Sequence, residues 1–263
     1  MNEFSDNFLP QLDFPEWHGG ASQRVMFASI PRAGSTFICE LFWRTGQLGA
    51  PLEYANFKLN PDLKTCRARD DFSAYWKDLE RRRTSPNGVF SFKMFTTFFG
   101  DIHARFDGGT SCVRFDDVIY IYRENVLDQA ISYSRAIQTR RWFKSSLGRG
   151  GMDRRPVYDF KQIIRSLQRI REQTAIWAII FKHYGIRPVF VKYEDVLADP
   201  SEIVRVFDAL SIPCSVRTPA PEMVSVLQQR DQITEEWRGQ FLFEVCRQGR
   251  YGDLITQSTL PLN

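Results

Sequence analysis

The chain has 263 residues, enough for one large domain or two small ones and enough to bury a core without disulfides or metals. With 43% hydrophobic and 25% charged residues it falls outside the disordered, collagen-like and low-complexity classes. Thirty-five Lys and Arg against 31 Asp and Glu leave a formal charge of +4, too small for a general nucleic-acid binder but compatible with one local anion site.

Residues 1–23 read as an irregular arm, with acids and prolines where a signal peptide needs a basic start and an apolar run. Arg24–Ile30 (RVMFASI) is a strand, closed by Pro31 and Gly34. The helix after it has Phe37, Leu41 and Phe42 on one face and stops at Thr45-Gly46. A charged helix follows from Pro61 to Arg83, ended by the turn cluster Ser85-Pro86-Asn87-Gly88. Val89–Met94 is a second strand, and the near-continuous apolar run Val118–Tyr122 is a buried parallel one.

A helix carrying Leu127, Ala130, Ile131, Ser134 and Ile137 on its inner face comes next, then a glycine-rich loop at Gly148, Gly150 and Gly151. Phe160 to Phe181 has the spacing of a long amphipathic helix that stops at Gly185. Pro188–Lys192 is a strand, and Asp199 caps a helix beginning at Pro200. A last helix runs from Thr234, its expected cap, to Cys246. Strands and helices alternate without a linker, so the expectation is one α/β domain with a central, mainly parallel sheet flanked by helices.

Five cysteines without CxxC or CxxH spacing argue against a disulfide framework, and three scattered histidines argue against a zinc site. No apolar run approaches the roughly 18 residues of a membrane span. The expected protein is reduced, soluble and cytoplasmic, with no metal and no nucleic-acid partner. A homodimer is compatible with the sequence, and no residue pattern decides it.

Two segments carry chemistry. Ile30-Pro31-Arg32-Ala33-Gly34-Ser35-Thr36 joins a strand to a helix, where free N–H groups and the helix dipole attract an anion. Arg32 adds a forked cation, and Ser35 and Thr36 add hydroxyl donors. The alternative is an ordinary tight turn with a serine cap. With one glycine and no lysine before Ser35-Thr36, it departs from the GxxxxGK[ST] loop of nucleotide kinases and NTPases. The second segment starts at Arg123, at the end of the VIYIY strand, and reaches Ser132 in the next helix. Both belong to the carboxyl edge of the sheet, where α/β proteins bind ligands. Read blandly, Arg123 is a surface ion pair with Glu124 or Asp128, and Ser132 is a packing residue.

These residues resemble a family. The PRAGST loop with its distal Arg and Ser is similar to sulfotransferases that use 3′-phosphoadenosine-5′-phosphosulfate, nearest to the bacterial trehalose 2-sulfotransferase-like branch. PRAGSTFICELFWRTGQLGAPLEY (31–54) and YRENVLDQAISYSRAIQTRRW (122–142) are the specific blocks. PNGVFSFKMF (86–95), VKYEDVLADPSEIV (191–204) and QRDQITEEW (229–237) support them. The resemblance implies a P-loop-like three-layer sulfotransferase fold over the whole chain. It also implies transfer of a sulfonyl group to a carbohydrate or glycolipid hydroxyl by in-line displacement.

In the resemblance, Arg32, Ala33, Gly34, Ser35 and Thr36 hold the 5′-phosphosulfate, and Arg123 with Ser132 holds the 3′-phosphate. Glu53 matches the general base of this branch; composition and spacing do not single it out, and alone it reads as a surface carboxylate or helix cap. A glutamate gains strength as a base where apolar neighbours such as Leu52, Tyr54 and Phe57 desolvate it. Other sulfotransferases commonly carry Lys-Thr-His at the second strand's end, whereas this chain has Lys93-Met94-Phe95, so no imidazole can act from there. Lys93 remains suited to neutralise charge on the leaving phosphate or the sulfonyl oxygens. His103 is the next base to consider.

Arg230, Trp237, Gln138, Thr139 and Trp142 are softer candidates for a nucleotide or acceptor cleft. Gly249-Arg250-Tyr251-Gly252 does not reproduce the RKGxxG nucleotide loop of other sulfotransferases. The cationic stretch from Arg140 to Arg155 reads as a solvated face or as a lid over an acidic or lipid-linked glycan. Two other readings stay open: a nucleotide kinase or NTPase, and a non-catalytic nucleotide-binding module.

Overall fold

In a computed structural model, which describes residues 9–58, 60, 63, 66, 68–106, 113–142, 155–213 and 232–256, the four apolar runs form one parallel sheet. Its strands are β1 (Gln23–Ser29), β2 (Val89–Phe95), β3 (Asp117–Tyr122) and β4 (Val189–Lys192). Their spatial order is β2-β1-β3-β4, with Phe27 paired to Lys93 on one side and to Ile119 on the other. Continuous apolar runs suit strands covered on both faces, and all seven residues of β2 are buried. The chain leaves β1 towards β2 and leaves β3 towards β4. The two connections therefore diverge at neighbouring carboxyl ends and open a crevice there.

Helices flank the sheet: α1 (Ser35–Arg44), α2 (Arg69–Arg83), α3 (Thr96–Arg105), α4 (Val126–Thr139), α5 (Phe160–Tyr184), α6 (Tyr193–Ala198), α7 (Val204–Ala209), α8 (Gln232–Gln248) and α9 (Gly252–Thr256). Side-chain caps fix two starts: Asn125 accepts from the Asp128 N–H at 3.0 Å, and Asp159 accepts from the Gln162 N–H at 2.9 Å. Gly185, at φ 64°, ends α5 as its spacing requires. Asp199 caps as expected, but the turn it caps, Pro200–Ile203, is 3₁₀ before α7 begins.

The differences from the sequence reading are local. α2 begins at Arg69, and the expected start at Pro61 lies outside the described residues. Ile137 is 38% exposed, because the buried arc of α4 drifts in its last turns to Tyr133, Ala136 and Thr139. Thr234 is not a cap but lies inside α8, buried, where its Oγ1 accepts from Arg135 at 2.9 Å. α3 was not anticipated: two threonines and Gly100 mask the spacing of its buried Phe98 and Ile102.

One core cluster joins the sheet to α1, α2 and α3; a second joins Ile30 and Ala33 to Ile131, Ile163, Leu167, Trp237 and Phe241. The second cluster anchors the loop after β1 to α4. Ahead of β1, the arm is strapped to α2: the Phe14 N–H donates to the Arg82 carbonyl at 2.9 Å, and Arg83 pairs with Asp13 at 2.6 Å. Among the described residues, no helix is long and apolar enough to cross a membrane.

Candidate active site

The loop after β1 is shaped by one glycine. Gly34 has φ 81°, and a Cβ built on it would lie 2.0 Å from Cδ2 of Tyr193. Both the left-handed backbone and the lack of space require glycine here. Ala33 and Ser35 are buried beside it, Thr36 follows in the first turn of α1, and Gln129 of α4 pins the loop by donating to the Pro31 carbonyl at 2.9 Å.

Arg32 also has a positive φ, 67°, and turns towards α4. Its Nε donates to Ser132 Oγ at 2.9 Å, and its Nη1 donates to the Trp142 carbonyl. Burial, and after it the like charges of Arg123 and Arg135, push the Arg32 guanidinium down to about 10. It is still a cation at neutral pH. The like charges of Arg123 and Arg135 are thus felt at Arg32, a local excess of positive charge that an anion would relieve.

Arg123 follows β3 directly and lies across the Tyr193 ring, 5.2 Å from its centroid. Its Nη2 reaches Asp128 Oδ2 at 3.4 Å, while its buried Nε has no hydrogen-bond partner among the described residues. Ser132, expected beside Arg123, is held instead by Arg32, and no described contact joins Ser132 to Arg123. Arg32, like the Gln129–Pro31 bond, therefore ties the first loop to α4.

Lys93 and Glu53 form the other half. Residues 48–53 run beside the outer edge of β2. The Lys93 N–H donates to the Leu52 carbonyl at 2.8 Å, and Ser91 Oγ donates to the Leu48 carbonyl. Gly49 allows this approach, since a Cβ there would stand 2.8 Å from the Ser91 nitrogen. Glu53 is thereby delivered to Lys93. Nζ lies 3.0 Å from Glu53 Oε1 and 3.1 Å from Thr36 Oγ1, with both charged side chains buried. Asn56 donates to the other oxygen, Oε2, at 3.0 Å. Its sequence neighbours Leu52, Tyr54 and Phe57 are buried as well. A buried carboxylate needs a partner to remain an ion, and Lys93 supplies it. Cys39 on α1 is buried, which pushes its thiol up to about 12, so it is not a nucleophile at neutral pH.

Residues 25–243 match the family of Stf0 sulphotransferases. The chain belongs to this family. Two of its relatives are the trehalose 2-sulfotransferases of Mycolicibacterium smegmatis and Mycobacterium tuberculosis, each 26% identical. The first alignment covers 83% of this chain and 94% of the relative, the second 87% and 98%. The Stf0 sulphotransferase assignment fits the α/β fold with its four-stranded parallel sheet. A sulfotransferase is an enzyme, so the comparisons favour that reading over a nucleotide kinase or a non-catalytic module.

Several expected residues do not join the site. Trp237 is 5% exposed and packs edge-on against Tyr158, a core role. Gln138 is committed to both backbone polar groups of Val157, and Thr139 Oγ1 to the Arg135 carbonyl. His103 is exposed on α3. Trp142 is 41% exposed beside Tyr133, and its carbonyl, not its ring, meets Arg32. Arg230 and residues 143–154 lie outside the described residues. Conversely, Asn56, Tyr193 and Arg238 reach the site without having been singled out. Asn56 follows Glu53 at a spacing with no signature, and the other two arrive from distant elements.

Proposed function

We propose that this Stf0 sulphotransferase moves the sulfonyl group of 3′-phosphoadenosine-5′-phosphosulfate to a hydroxyl of a carbohydrate or glycolipid acceptor. The observation that carries the proposal is the buried ammonium of Lys93, which touches Glu53 at 3.0 Å and Thr36 of the loop after β1 at 3.1 Å. A proton acceptor and an anion-binding loop on either side of one cation are what transfer of an acidic group to a hydroxyl requires.

The residues fit such a donor. Gly34 lets the loop take its left-handed turn, Arg123 has a buried Nε without a hydrogen bond among the described residues, and the like charges of Arg32 and Arg123 oppose one another, which an anion would offset. The donor, when bound, supplies the electrophilic sulfur and a bisphosphate leaving group. Arg32, Ser35, Thr36 and the loop N–H groups would hold its 5′ side, and Arg123 its 3′-phosphate. Ser132 would serve by fixing Arg32. Glu53 takes the proton of the acceptor hydroxyl, with Asn56 holding Oε2 in place. Lys93 turns its charge towards the loop as negative charge grows there.

The names of the relatives make trehalose the first acceptor to try. Incubation with the donor and trehalose should yield a sulfated disaccharide and adenosine 3′,5′-bisphosphate. Tight bisphosphate binding without transfer to trehalose or any hydroxyl-bearing glycan would make the chain a binding module. Magnesium-dependent ATP binding tighter than that of the bisphosphate would overturn the donor assignment.

A further inference from the structure

Arg123 sits between two carboxylates and makes a short bond to neither. Charge-assisted N–H···O bonds run about 2.7–2.9 Å. Arg123 Nη2 stands 3.4 Å from Asp128 Oδ2, and Nε stands 3.7 Å from Glu194 Oε1. Among the described residues its Nε has no hydrogen bond, although it is shielded from water. An arginine beside two acids would ordinarily close a two-pronged pair with one of them.

Both acids are already occupied. Glu194 accepts the N–H groups of Glu124 and Asn125 at 3.0 and 3.1 Å, one on each oxygen. Asp128, 2% exposed at its side chain, is held by Arg238 of α8. Arg238 Nε donates to Oδ1 at 2.8 Å, and Nη2 reaches both oxygens at 2.7 Å. Glu235 fixes Arg238 from its other side, through Nη1 at 2.6 Å. The two arginines therefore share one buried carboxylate unequally, with Arg238 holding the short bonds.

We infer that Arg238 is a positioning residue of the donor site: by saturating Asp128 it keeps Arg123 from closing an internal ion pair and leaves that guanidinium available for a phosphate. The inference builds on the donor assignment above, in which Arg123 takes the 3′-phosphate. In the absence of Arg238, the carboxylate of Asp128 is buried and unpaired, and Arg123 is the nearest cation able to satisfy it. Turning to Asp128 would withdraw Arg123 from the crevice. α8 would thus act on donor affinity without touching the donor.

Calorimetry with adenosine 3′,5′-bisphosphate and with adenosine 5′-phosphate tests this on the full chain. Arg238→Met should weaken the bisphosphate roughly tenfold, the scale of one lost charge-assisted contact. The 5′-phosphate should be affected little. Removing the competing charge as well, in Arg238→Met/Asp128→Asn, should restore most of the bisphosphate affinity, which a packing role for Arg238 would not do. Should Arg238→Met fail to fold, Asp128→Asn alone decides: its bisphosphate affinity should equal or exceed that of the unaltered protein. Equal losses for both ligands, a double variant as weak as the single one, or a weaker Asp128→Asn overturn the inference. An unaltered protein that does not bind the bisphosphate overturns the donor assignment first, and this inference with it. One that binds it, and binds it unchanged after Arg238→Met, overturns the inference alone.

Discussion

Lys93 and Glu53 are a buried ion pair, 3.0 Å apart, with Lys93 in the outer strand of the sheet and Glu53 in the segment that covers that strand. They lie 40 residues apart in sequence, and the pair exists because residues 48–53 run alongside β2. A buried pair adds little net stability over an apolar replacement, since desolvation consumes most of the attraction. Its presence here is explained by chemistry more readily than by stability.

Breaking the pair from one side should therefore be costly. Lys93→Met leaves Glu53 buried without a cation, and removal of one partner of a buried pair costs about 3–5 kcal/mol. Lys93→Met/Glu53→Gln removes the orphaned charge and should recover most of that loss. Urea unfolding with unchanged m-values measures both. A single variant within about 1 kcal/mol of the unaltered protein would mean that Glu53 finds water, and that the pair is not buried in solution.

Arg123→Ala should remove the clamp on the 3′-phosphate. A charge-assisted contact is worth roughly 1.5–3 kcal/mol, so bisphosphate affinity should fall tenfold or more, with ligands lacking the 3′-phosphate nearly unaffected. Calorimetry with both ligands separates this outcome from a general collapse of the site. A matched loss for the two ligands would remove Arg123 from that phosphate.

The sheet and the loop after β1 were legible because their signals are local. Apolar runs give buried strands, and a glycine between a strand and a helix gives a tight left-handed turn. Gly185 and Asp199 likewise mark their boundaries locally, the glycine through its left-handed backbone and the aspartate through its capping carboxylate. Glu53 was different, since nothing in its neighbourhood separates it from a surface carboxylate; only the resemblance raised it. Asn56 carries no signal because an Asn three residues after a Glu has no signature, and Arg238 carries none because the carboxylate it holds, Asp128, is reached only through the fold. The partner of Ser132, Arg32, was not legible. The positive φ of Arg32, which turns its side chain towards α4, has no mark in the sequence.

Gly34→Ala tests the loop geometry itself. The new methyl would meet the Tyr193 ring at 2.0 Å, and φ 81° is strained for alanine whatever the space. Strain and overpacking together should cost about 2–4 kcal/mol. Bisphosphate affinity should fall with stability, because Tyr193 also carries Arg123. Tyr193→Ala in the Gly34→Ala background should relieve the overlap but not the backbone strain, so thermal melting should recover only in part. Full stability in Gly34→Ala alone would show that the loop has room this structure does not contain.

Glu53→Gln is the decisive substitution for the chemical step. It preserves size and leaves an oxygen to accept from Lys93 or Asn56, but it removes the proton acceptor. General-base catalysis contributes about 10²–10⁴ in rate, so kcat in an acceptor assay should drop within that range. Bisphosphate affinity should stay within about threefold, because a carboxylate contributes no attraction to an anion and the phosphate loop is untouched. The neutral amide also frees Lys93 from its ion pair, which acts, if anything, towards tighter anion binding. A variant that keeps full turnover would place the base elsewhere, and exposed His103 on α3 would be examined next. A variant that loses bisphosphate affinity along with turnover would make Glu53 a support for Lys93 and Thr36 rather than the group that takes the proton.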